Sequence, residues 1–262
     1  MSSPKRPSIT VRNPAFDYEG RGQQYATVRR ADPRIAARIH EALGDARTVL
    51  NVGAGAGSYE PTDRYVVPLE PSAVMRRQRP PHLAPALAGS ADAIPFDHGA
   101  FDAAMAVLTV HHWANRARCL AEIRRVTRGP IVVMTFDPDA PTDFCMGDYA
   151  PELVEVESQR YGPLASITRS LAGEARVVSI DVPRDCTDGF QAAFYARPEA
   201  FLDARVRHSQ SAWSFLPPDV EERIVRTLGA DLASGRWEAK YGHLRARAAI
   251  ACQLRLVVST PR

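Results

Sequence analysis

The sequence lacks the features that mark metal-binding and membrane proteins. Its four cysteines lie far apart, with no Cys-x-x-Cys pair and no histidine at zinc-finger spacing, so neither a metal site nor a disulfide framework is expected. No stretch approaches the roughly 18 apolar residues of a membrane span, and residues 1–10 have no apolar core segment of a secretory signal. We therefore expect a cytoplasmic protein without a membrane partner.

Lysine is also scarce, because Lys5 and Lys240 are the only two in the chain. Lysine and arginine together number 33 against 30 acidic residues, which gives a formal charge of +3 with no concentrated basic block, and so no nucleic-acid partner is expected. The 262 residues, 45% of them hydrophobic, can bury a large core. Whether the chain is a monomer or a homodimer stays open.

Short apolar runs alternate with amphipathic helical segments through the first half of the chain. This alternation predicts an α/β fold with an open, doubly wound, mainly parallel sheet, whose ligands bind at the carboxyl ends of the strands. The predicted strands are residues 48–52, 65–69, 102–110, 130–136, 175–183 and 252–260, and the predicted helices between the first of them are near 72–78 and 115–127.

A glycine-rich stretch, "VLNVGAGAGSYE" at 49–60, follows the first predicted strand directly. Three alternating glycines allow a tight turn and close approach of a ligand to the main chain, so we interpret them as a cofactor loop; an ordinary strand-to-helix turn is the alternative. No Gly-Lys-Ser/Thr is present, and Ser58 replaces the third glycine of a dinucleotide fingerprint. Glu70 ends the next strand, where a carboxylate can accept both hydroxyls of a ribose, or simply sit at the surface.

Four segments in order resemble the motif series of class I S-adenosylmethionine-dependent methyltransferases, especially those of the ubiquinone/menaquinone-biosynthesis type and of bacterial small-molecule methylation. The segments are "VLNVGAGAGSYE", "VVPLEPSAVM", "GSADAIPFDHGAFDAAMAVLTVHHW" and "CLAEIRRVTRGPIVVMTF", and the resemblance covers about residues 25–137. It implies a Rossmann-like sheet of seven strands with the last antiparallel, S-adenosylmethionine as cofactor, and methyl transfer to a small molecule, in secondary metabolism.

The resemblance also implies which residues hold this cofactor. The glycine loop would lie under the methionine end, Glu70 would bind the ribose, and Tyr25 and Arg29 would close over the cofactor and meet its carboxylate. Core packing for Tyr25 and a solvated position for Arg29 are the alternatives. Asn51 and Ser90 stand where many members have an acid. The matching positions are Tyr25, Arg29, Asn51, Gly53, Ala54, Gly55, Gly57, Glu70, Pro71, Ser90, Ala91, Asp92, Leu108 and Thr109.

Catalytic candidates are few, because an in-line methyl displacement needs mainly positioning and exclusion of water. His111 and His112 follow the predicted strand at 102–110, where they could act as a base or line the cofactor. Asp137 and Asp188 are further candidates, with a turn carboxylate as the alternative for Asp137. The segment after residue 183 could also line an acceptor pocket, or form a buried helix face, through Cys186, Phe190, Phe194 and Tyr195.

These observations predict a division of the chain. We expect a flexible tail (1–12), N-terminal helices that cover the cofactor site (13–44), a cofactor-binding core (45–138), an acceptor-shaping region with a core strand near 175–183 (139–247), and a final core strand with the C-terminus (248–262). A dinucleotide-dependent oxidoreductase, a nucleic-acid methyltransferase and a non-catalytic S-adenosylmethionine binder are the other functions considered. The identity of the acceptor, and transfer to O, N or C, stay open.

Overall fold

A six-stranded mixed sheet forms the centre of the protein. The computed structural model describes residues 17–21, 28–141 and 144–261. In that part of the chain the strands are β1 (Thr48–Val52), β2 (Tyr65–Leu69), β3 (Ala103–Val107), β4 (Ile131–Phe136), β5 (Glu174–Pro183) and β6 (Ala249–Thr260).

The strand order across the sheet is β2-β1-β3-β4-β6-β5. The first four strands run parallel, and β6 lies antiparallel between β4 and β5. This confirms the open α/β sheet with an antiparallel last strand. Because β1 to β3 are parallel, their carboxyl ends meet at one edge of the sheet, where a ligand site is expected.

The helices lie on both faces of this sheet and in the region after β4. Those of the described residues are α1 (Tyr18–Arg21), α2 (Pro33–Ala42), α3 (Ala73–Arg77), α4 (Arg116–Val126), α5 (Met146–Tyr149), α6 (Pro151–Tyr161), α7 (Ala165–Ser170), α8 (Ala204–His208), α9 (Pro218–Ala233), α10 (Arg236–Tyr241) and α11 (His243–Ala246). Short 3-10 helices span Val110–His112, Gln191–Phe194, Pro198–Leu202 and Ser211–Phe215.

Alternate side chains of the central strands enter two separate hydrophobic layers. Val49 packs with Met105 and Val132 on one face, whereas Leu50 packs with Ala104 on the other. Successive side chains of a strand point to opposite faces, so both faces of the sheet are buried. This explains why the strands read as continuous apolar runs in the sequence.

The strand count differs from the expected seven. Beside β2 the chain forms a single bridge, in which the Leu87 amide donates to the Pro68 carbonyl and the Glu70 amide donates to the Leu87 carbonyl, both at 2.9 Å. Pro80, Pro81 and Pro85 precede this bridge. Prolines lack an amide donor, so the segment cannot extend the ladder and the seventh strand is reduced to one residue.

The first two predicted strands match the structure residue for residue. The third observed strand is shorter than the run predicted at 102–110, because β3 ends at Val107 and a 3-10 turn follows. The region 139–247, expected to shape the acceptor site, contains several 3-10 turns besides its helices and β5. The tail at 1–12 and Tyr25 lie outside the described residues. Among the described residues, every helix is too short or too polar to span a membrane.

Candidate active site

A cavity of about 580 Å³ opens at the carboxyl ends of β1, β2 and β3. Its volume falls within the range of roughly 300–1,000 Å³ typical of ligand pockets. It brings together most of the residues that the sequence singled out for the cofactor, together with one of the two candidate histidines. These are Asn51, Gly53, Ala54, Gly55, Glu70, Pro71, Ser90, Ala91, Asp92, Leu108, Thr109 and His112.

The glycine loop adopts left-handed backbone at all three glycines, with φ of 70°, 52° and 92° at Gly53, Gly55 and Gly57. A Cβ at Gly53 would collide with the side chain of Thr109, and one at Gly57 would collide with Leu83. Gly57, unlike Gly53 and Gly55, is not among the residues that line the cavity. Gly53 and Gly55 both lie in the cavity wall, so the bare backbone allows close packing at Gly53 and Gly57 and exposes main chain to the cavity at Gly53 and Gly55.

Glu70 links the end of β2 to the glycine loop. Its Oε2 accepts a hydrogen bond from the Gly55 amide and its Oε1 accepts one from the Ser72 amide, both at 2.8 Å. Burial raises the pKa of the Glu70 carboxyl, although both amide hydrogen bonds act in the opposite direction. Each carboxylate oxygen can accept a further hydrogen bond, so Glu70 can hold the loop and also bind hydroxyl donors in the cavity.

Asn51 is buried near the end of β1. The resemblance described above implies that many methyltransferases have an acidic residue at this position. Its Nδ2 donates to Glu60 at 2.9 Å, and Glu60 in turn forms a buried ion pair with Arg79 at 2.7 Å. The amide suits this position because it can donate to Glu60, which an aspartate could not do. Among the described residues the Asn51 Oδ1 has no hydrogen-bond partner. The Asn51 Oδ1 is therefore a hydrogen-bond acceptor in the cavity wall that a ligand could satisfy.

Two further segments complete the large cavity. A hydrogen bond with the Ser90 side chain lowers the pKa of Asp92, so these two side chains interact in the loop after the Leu87 bridge. On the opposite side, Glu19 of α1 accepts a hydrogen bond of 2.7 Å from the Ser72 hydroxyl. This contact attaches the N-terminal segment to the cavity rim, and sequence reasoning did not single out Glu19.

Leu108 follows β3 in a left-handed conformation, with φ of 50°. For a leucine this costs roughly 1–2 kcal/mol, and the Leu108 amide compensates in part by donating to the Met134 carbonyl at 2.8 Å. Such strained residues cluster at ligand sites. Leu108 lines the large cavity and also a second, smaller cavity behind it, so it forms the wall that the two cavities share.

The second cavity has a volume of about 30 Å³, enough for about one water molecule. Its lining comes from six parts of the chain that are distant in sequence: the segment before α2, the turn after β3, the end of β4, α6, the start of the 3-10 helix at Gln191, and the start of the 3-10 helix at Ser211. Among the lining residues are His111, Glu157, Arg160, Phe190 and Gln191. Most of them are polar, so the cavity is suited to a small polar group.

The two candidate histidines are divided between the cavities. His112 lines the large cavity and His111 lines the small one, with their ring centroids 3.9 Å apart. Burial lowers the pKa of His111 well below its ordinary value, and burial together with Arg160 lowers the pKa of His112 to about 3. Both imidazoles are therefore neutral at pH 7 and are weak bases. The buried His111 Nδ1 has no hydrogen-bond partner among the described residues.

Arg29 and Asp188 form a buried pair, which places both away from the large cavity. The Arg29 Nε donates to Asp188 Oδ1 at 2.7 Å, and the Tyr59 hydroxyl donates to Oδ2 at 2.7 Å. The Gly189 amide adds a third donor at 2.6 Å. Arg29 thus lies in the wall of the small cavity with its charge offset by Asp188, and Asp188 is saturated with donors.

Of the other residues predicted to lie near the acceptor, only one lines either of these two cavities. Asp137 lines neither of these two cavities, and its Oδ2 lies 3.7 Å from Arg255. Phe190 lines the small cavity, whereas the buried Cys186, Phe194 and Tyr195 line neither cavity. These three belong to the hydrophobic core, which was the alternative interpretation of their pattern.

Glu157 is a second residue that sequence reasoning missed, after Glu19. It lies on α6, half-buried, and its carboxyl group faces the small cavity. Gln191, with its amide nitrogen turned toward the carboxylate, donates to Oε2 at 2.6 Å and to Oε1 at 3.1 Å. Burial raises the pKa of Glu157 to about 7, and Arg160 acts in the opposite direction. A carboxyl group with that pKa can accept a proton at neutral pH.

Comparison with known proteins agrees with this geometry. Residues 50–130 match the family model of the methyltransferase domain. The structure is similar to that of a provisionally named methyltransferase from an antibiotic biosynthesis pathway of Anabaena variabilis, with a TM-score of 0.82 and 28% sequence identity, covering 89% of this chain and 99% of that chain. A Thermotoga maritima S-adenosylmethionine-dependent methyltransferase has a similar fold, with a TM-score of 0.53, 14% identity, and 94% and 98% coverage. None of the curated proteins matches significantly.

The sheet order, the cavity beside the glycine loop and the matched domain together define an enzyme class with a Rossmann-like fold. The chain contains a methyltransferase domain at residues 50–130, and these findings support an S-adenosylmethionine-dependent methyltransferase with S-adenosylmethionine as its cofactor.

Proposed function

We propose that this protein transfers a methyl group from S-adenosylmethionine to a small-molecule acceptor in a biosynthetic pathway. The observation that carries the proposal is the pair of adjoining cavities, one of about 580 Å³ beside the glycine loop and one of about 30 Å³ behind Leu108. The biosynthetic context is supported by the similar protein from Anabaena variabilis, which is described as belonging to an antibiotic biosynthesis pathway.

The large cavity offers suitable partners for each part of the cofactor. Glu70 presents two carboxylate oxygens to the ribose hydroxyls, and the backbone at Gly55 allows close approach of the methionine part. Asn51 offers an unsatisfied acceptor for an amino group, and the segment with Ser90 and Asp92 lines the side proposed for adenine. We place the reacting methyl near Leu108, since this residue borders both cavities.

The cofactor supplies an electrophilic methyl group on a sulfonium, which an in-line nucleophile can take. The chain itself must hold the nucleophile about 3 Å from that carbon and exclude water. In this proposal His112 forms part of the cofactor wall, because an imidazole with a pKa of about 3 is almost never protonated at neutral pH and is a weak proton acceptor. The buried pair of Arg29 and Asp188 holds the segment before α2 against the small cavity.

The test is a calorimetric titration of the purified protein with S-adenosylmethionine and with S-adenosylhomocysteine. We expect saturable binding at one site per chain, and no binding of nicotinamide dinucleotides or flavins. A metabolite screen for products heavier by one methylene then identifies the acceptor. Binding of a dinucleotide in place of S-adenosylmethionine would refute the proposal, and tight binding without any methylated product would favour a non-catalytic binder.

A further inference from the structure

The small cavity contains a combination of groups that the cofactor site does not use. The carboxyl group of Glu157 faces it from α6, and His111 faces it from the turn after β3. The His111 Nδ1 is buried and has no hydrogen-bond partner in the part of the chain that the structure describes. An unsatisfied buried nitrogen costs roughly 1–3 kcal/mol, so a polar ligand group in the cavity would remove a real penalty.

The electrostatic surroundings select the kind of polar group. The charged and titratable groups that face Glu157 are His111, Arg160, Tyr161 and Arg29, and the charge of Arg29 is offset by Asp188. Arg160, Arg116 and Arg29 all act to lower the pKa of His111, which indicates a positive potential around the cavity. A positive potential disfavours an ammonium group and stabilises an oxygen that becomes negative as it loses its proton.

Three aromatic side chains form part of the cavity wall. Phe136 lies with its ring centroid 5.4 Å from that of Tyr161 and 5.7 Å from that of Phe190, and all three side chains line the cavity. Both neighbours pack edge to face on Phe136, so the polar groups of the cavity are bordered by an aromatic surface, which suits an aromatic acceptor whose hydroxyl group enters the cavity. The cavity volume of about 30 Å³ admits only the reacting group, so the body of the acceptor must lie outside it.

We propose that the small cavity binds the hydroxyl group of an aromatic or enolic acceptor, and that Glu157 is the group that accepts the hydroxyl proton. The inference rests on the proposed methyltransferase function and names its acceptor class. Glu157 takes the proton as the acceptor oxygen forms its bond to the methyl carbon, while the electron pair of the broken sulfur–carbon bond stays on sulfur. The transfer is balanced without an oxidant or a metal.

The experiment uses phenol as the probe, with the full chain saturated with S-adenosylhomocysteine. Anisole, which lacks the hydroxyl proton, and benzylamine, which presents an ammonium, are the comparison ligands. The affinities are measured by calorimetry between pH 5.5 and 8.5, a range in which phenol stays neutral because phenolic hydroxyls ionise near about 10. The variants are Glu157→Gln and the matched control Glu155→Gln, which changes an exposed glutamate of the same helix.

We expect phenol to bind more tightly as Glu157 ionises through a pH of about 7. Glu157→Gln should weaken phenol binding at pH 8 by roughly tenfold, since a hydrogen bond to a charged group is lost, and Glu155→Gln should leave it unchanged. Gln191→Leu keeps Glu157 but removes its amide donor, so the midpoint of the pH dependence should move upward. This variant also tests the inference if Glu157→Gln does not fold.

Three results would overturn the inference: equal phenol affinity in the wild type and Glu157→Gln, a Glu157-dependent preference for benzylamine, or no phenol binding by a protein that still binds S-adenosylhomocysteine. Each of these leaves the methyltransferase proposal intact. If the protein binds neither S-adenosylmethionine nor S-adenosylhomocysteine, the proposed function fails and the inference falls with it.

Discussion

Replacing Glu70 is the sharpest test of the cofactor site, because this residue has both a structural and a ligand-binding role. Its carboxylate accepts the amides of Gly55 and Ser72, each at 2.8 Å. Glu70→Ala leaves both buried amides without that acceptor, at roughly 1–3 kcal/mol each. We therefore expect the free energy of unfolding to fall by about 2–6 kcal/mol, as measured by urea denaturation.

The loss in cofactor affinity should be of similar size. Two ribose hydroxyls that donate to one carboxylate contribute about 3 kcal/mol together, which corresponds to roughly a hundredfold in dissociation constant. Glu70→Gln should give an intermediate loss, because its amide oxygen can replace only one of the two carboxylate oxygens. Since burial raises the pKa of Glu70, affinity in the wild type should also begin to fall at a higher pH than for an exposed glutamate.

The assay is a calorimetric titration with S-adenosylhomocysteine, with circular dichroism to show that each variant is folded. Glu174→Ala, at the exposed start of β5, is the control and should bind as the wild type does. A folded Glu70→Ala variant that binds the ligand within threefold of the wild type would refute the ribose assignment and leave Glu70 only its structural role.

Three further predictions concern stability and are all measured by denaturant unfolding. Tyr59→Phe removes a 2.7 Å hydrogen bond to buried Asp188 and should cost about 1–2 kcal/mol. Gly53→Ala should cost more than about 2 kcal/mol, because its φ is 70° and the new Cβ meets a neighbouring threonine. The pKa of Glu157 is raised from 4.5 to about 7 in the folded protein. The contribution of this group to the free energy of unfolding is therefore fully present below pH 4.5 and is lost as the pH rises through 7. Relative to the wild type, Glu157→Gln should therefore gain up to about 3 kcal/mol between pH 4.5 and pH 8.

Each of these variants has a matched control. Tyr65→Phe changes a tyrosine that is 68% exposed and should have no effect. Gly44→Ala tests backbone strain alone, since φ is 58° there and no atom lies within 4 Å of the added Cβ. Glu155→Gln should show no pH-dependent gain. Equal losses at Gly44 and Gly53, or a constant difference between Glu157→Gln and the wild type across pH, would contradict the reasoning.

The strands and the cofactor cavity could be predicted because their signals are local. The run at 48–52 and the glycines after it lie within a dozen residues, and parallel strands place Glu70 at the same edge of the sheet. The missing seventh strand could have been anticipated from Pro80, Pro81 and Pro85, but the resemblance to a seven-stranded family outweighed this local signal.

The acceptor side could not be predicted in the same way, because its signals are not local. Glu157 lies on a helix with other glutamates and looks like one more solvated side chain until α6 packs beside His111. Asp188 was singled out as a catalytic candidate, yet it pairs with Arg29 from a segment 159 residues away. Such pairings depend on tertiary contacts, and no spacing in the sequence encodes them.

The single bridge at Leu87 has a consequence for association between molecules. An uncovered sheet edge offers its unpaired amides and carbonyls to any other extended chain and promotes aggregation. The edge strand β2 contains Pro68, and the segment that leads to Leu87 contains Pro80, Pro81 and Pro85. None of these four prolines has an amide that could donate to an incoming strand. The residues that prevent a seventh strand in this fold therefore also protect its border from pairing with a foreign one.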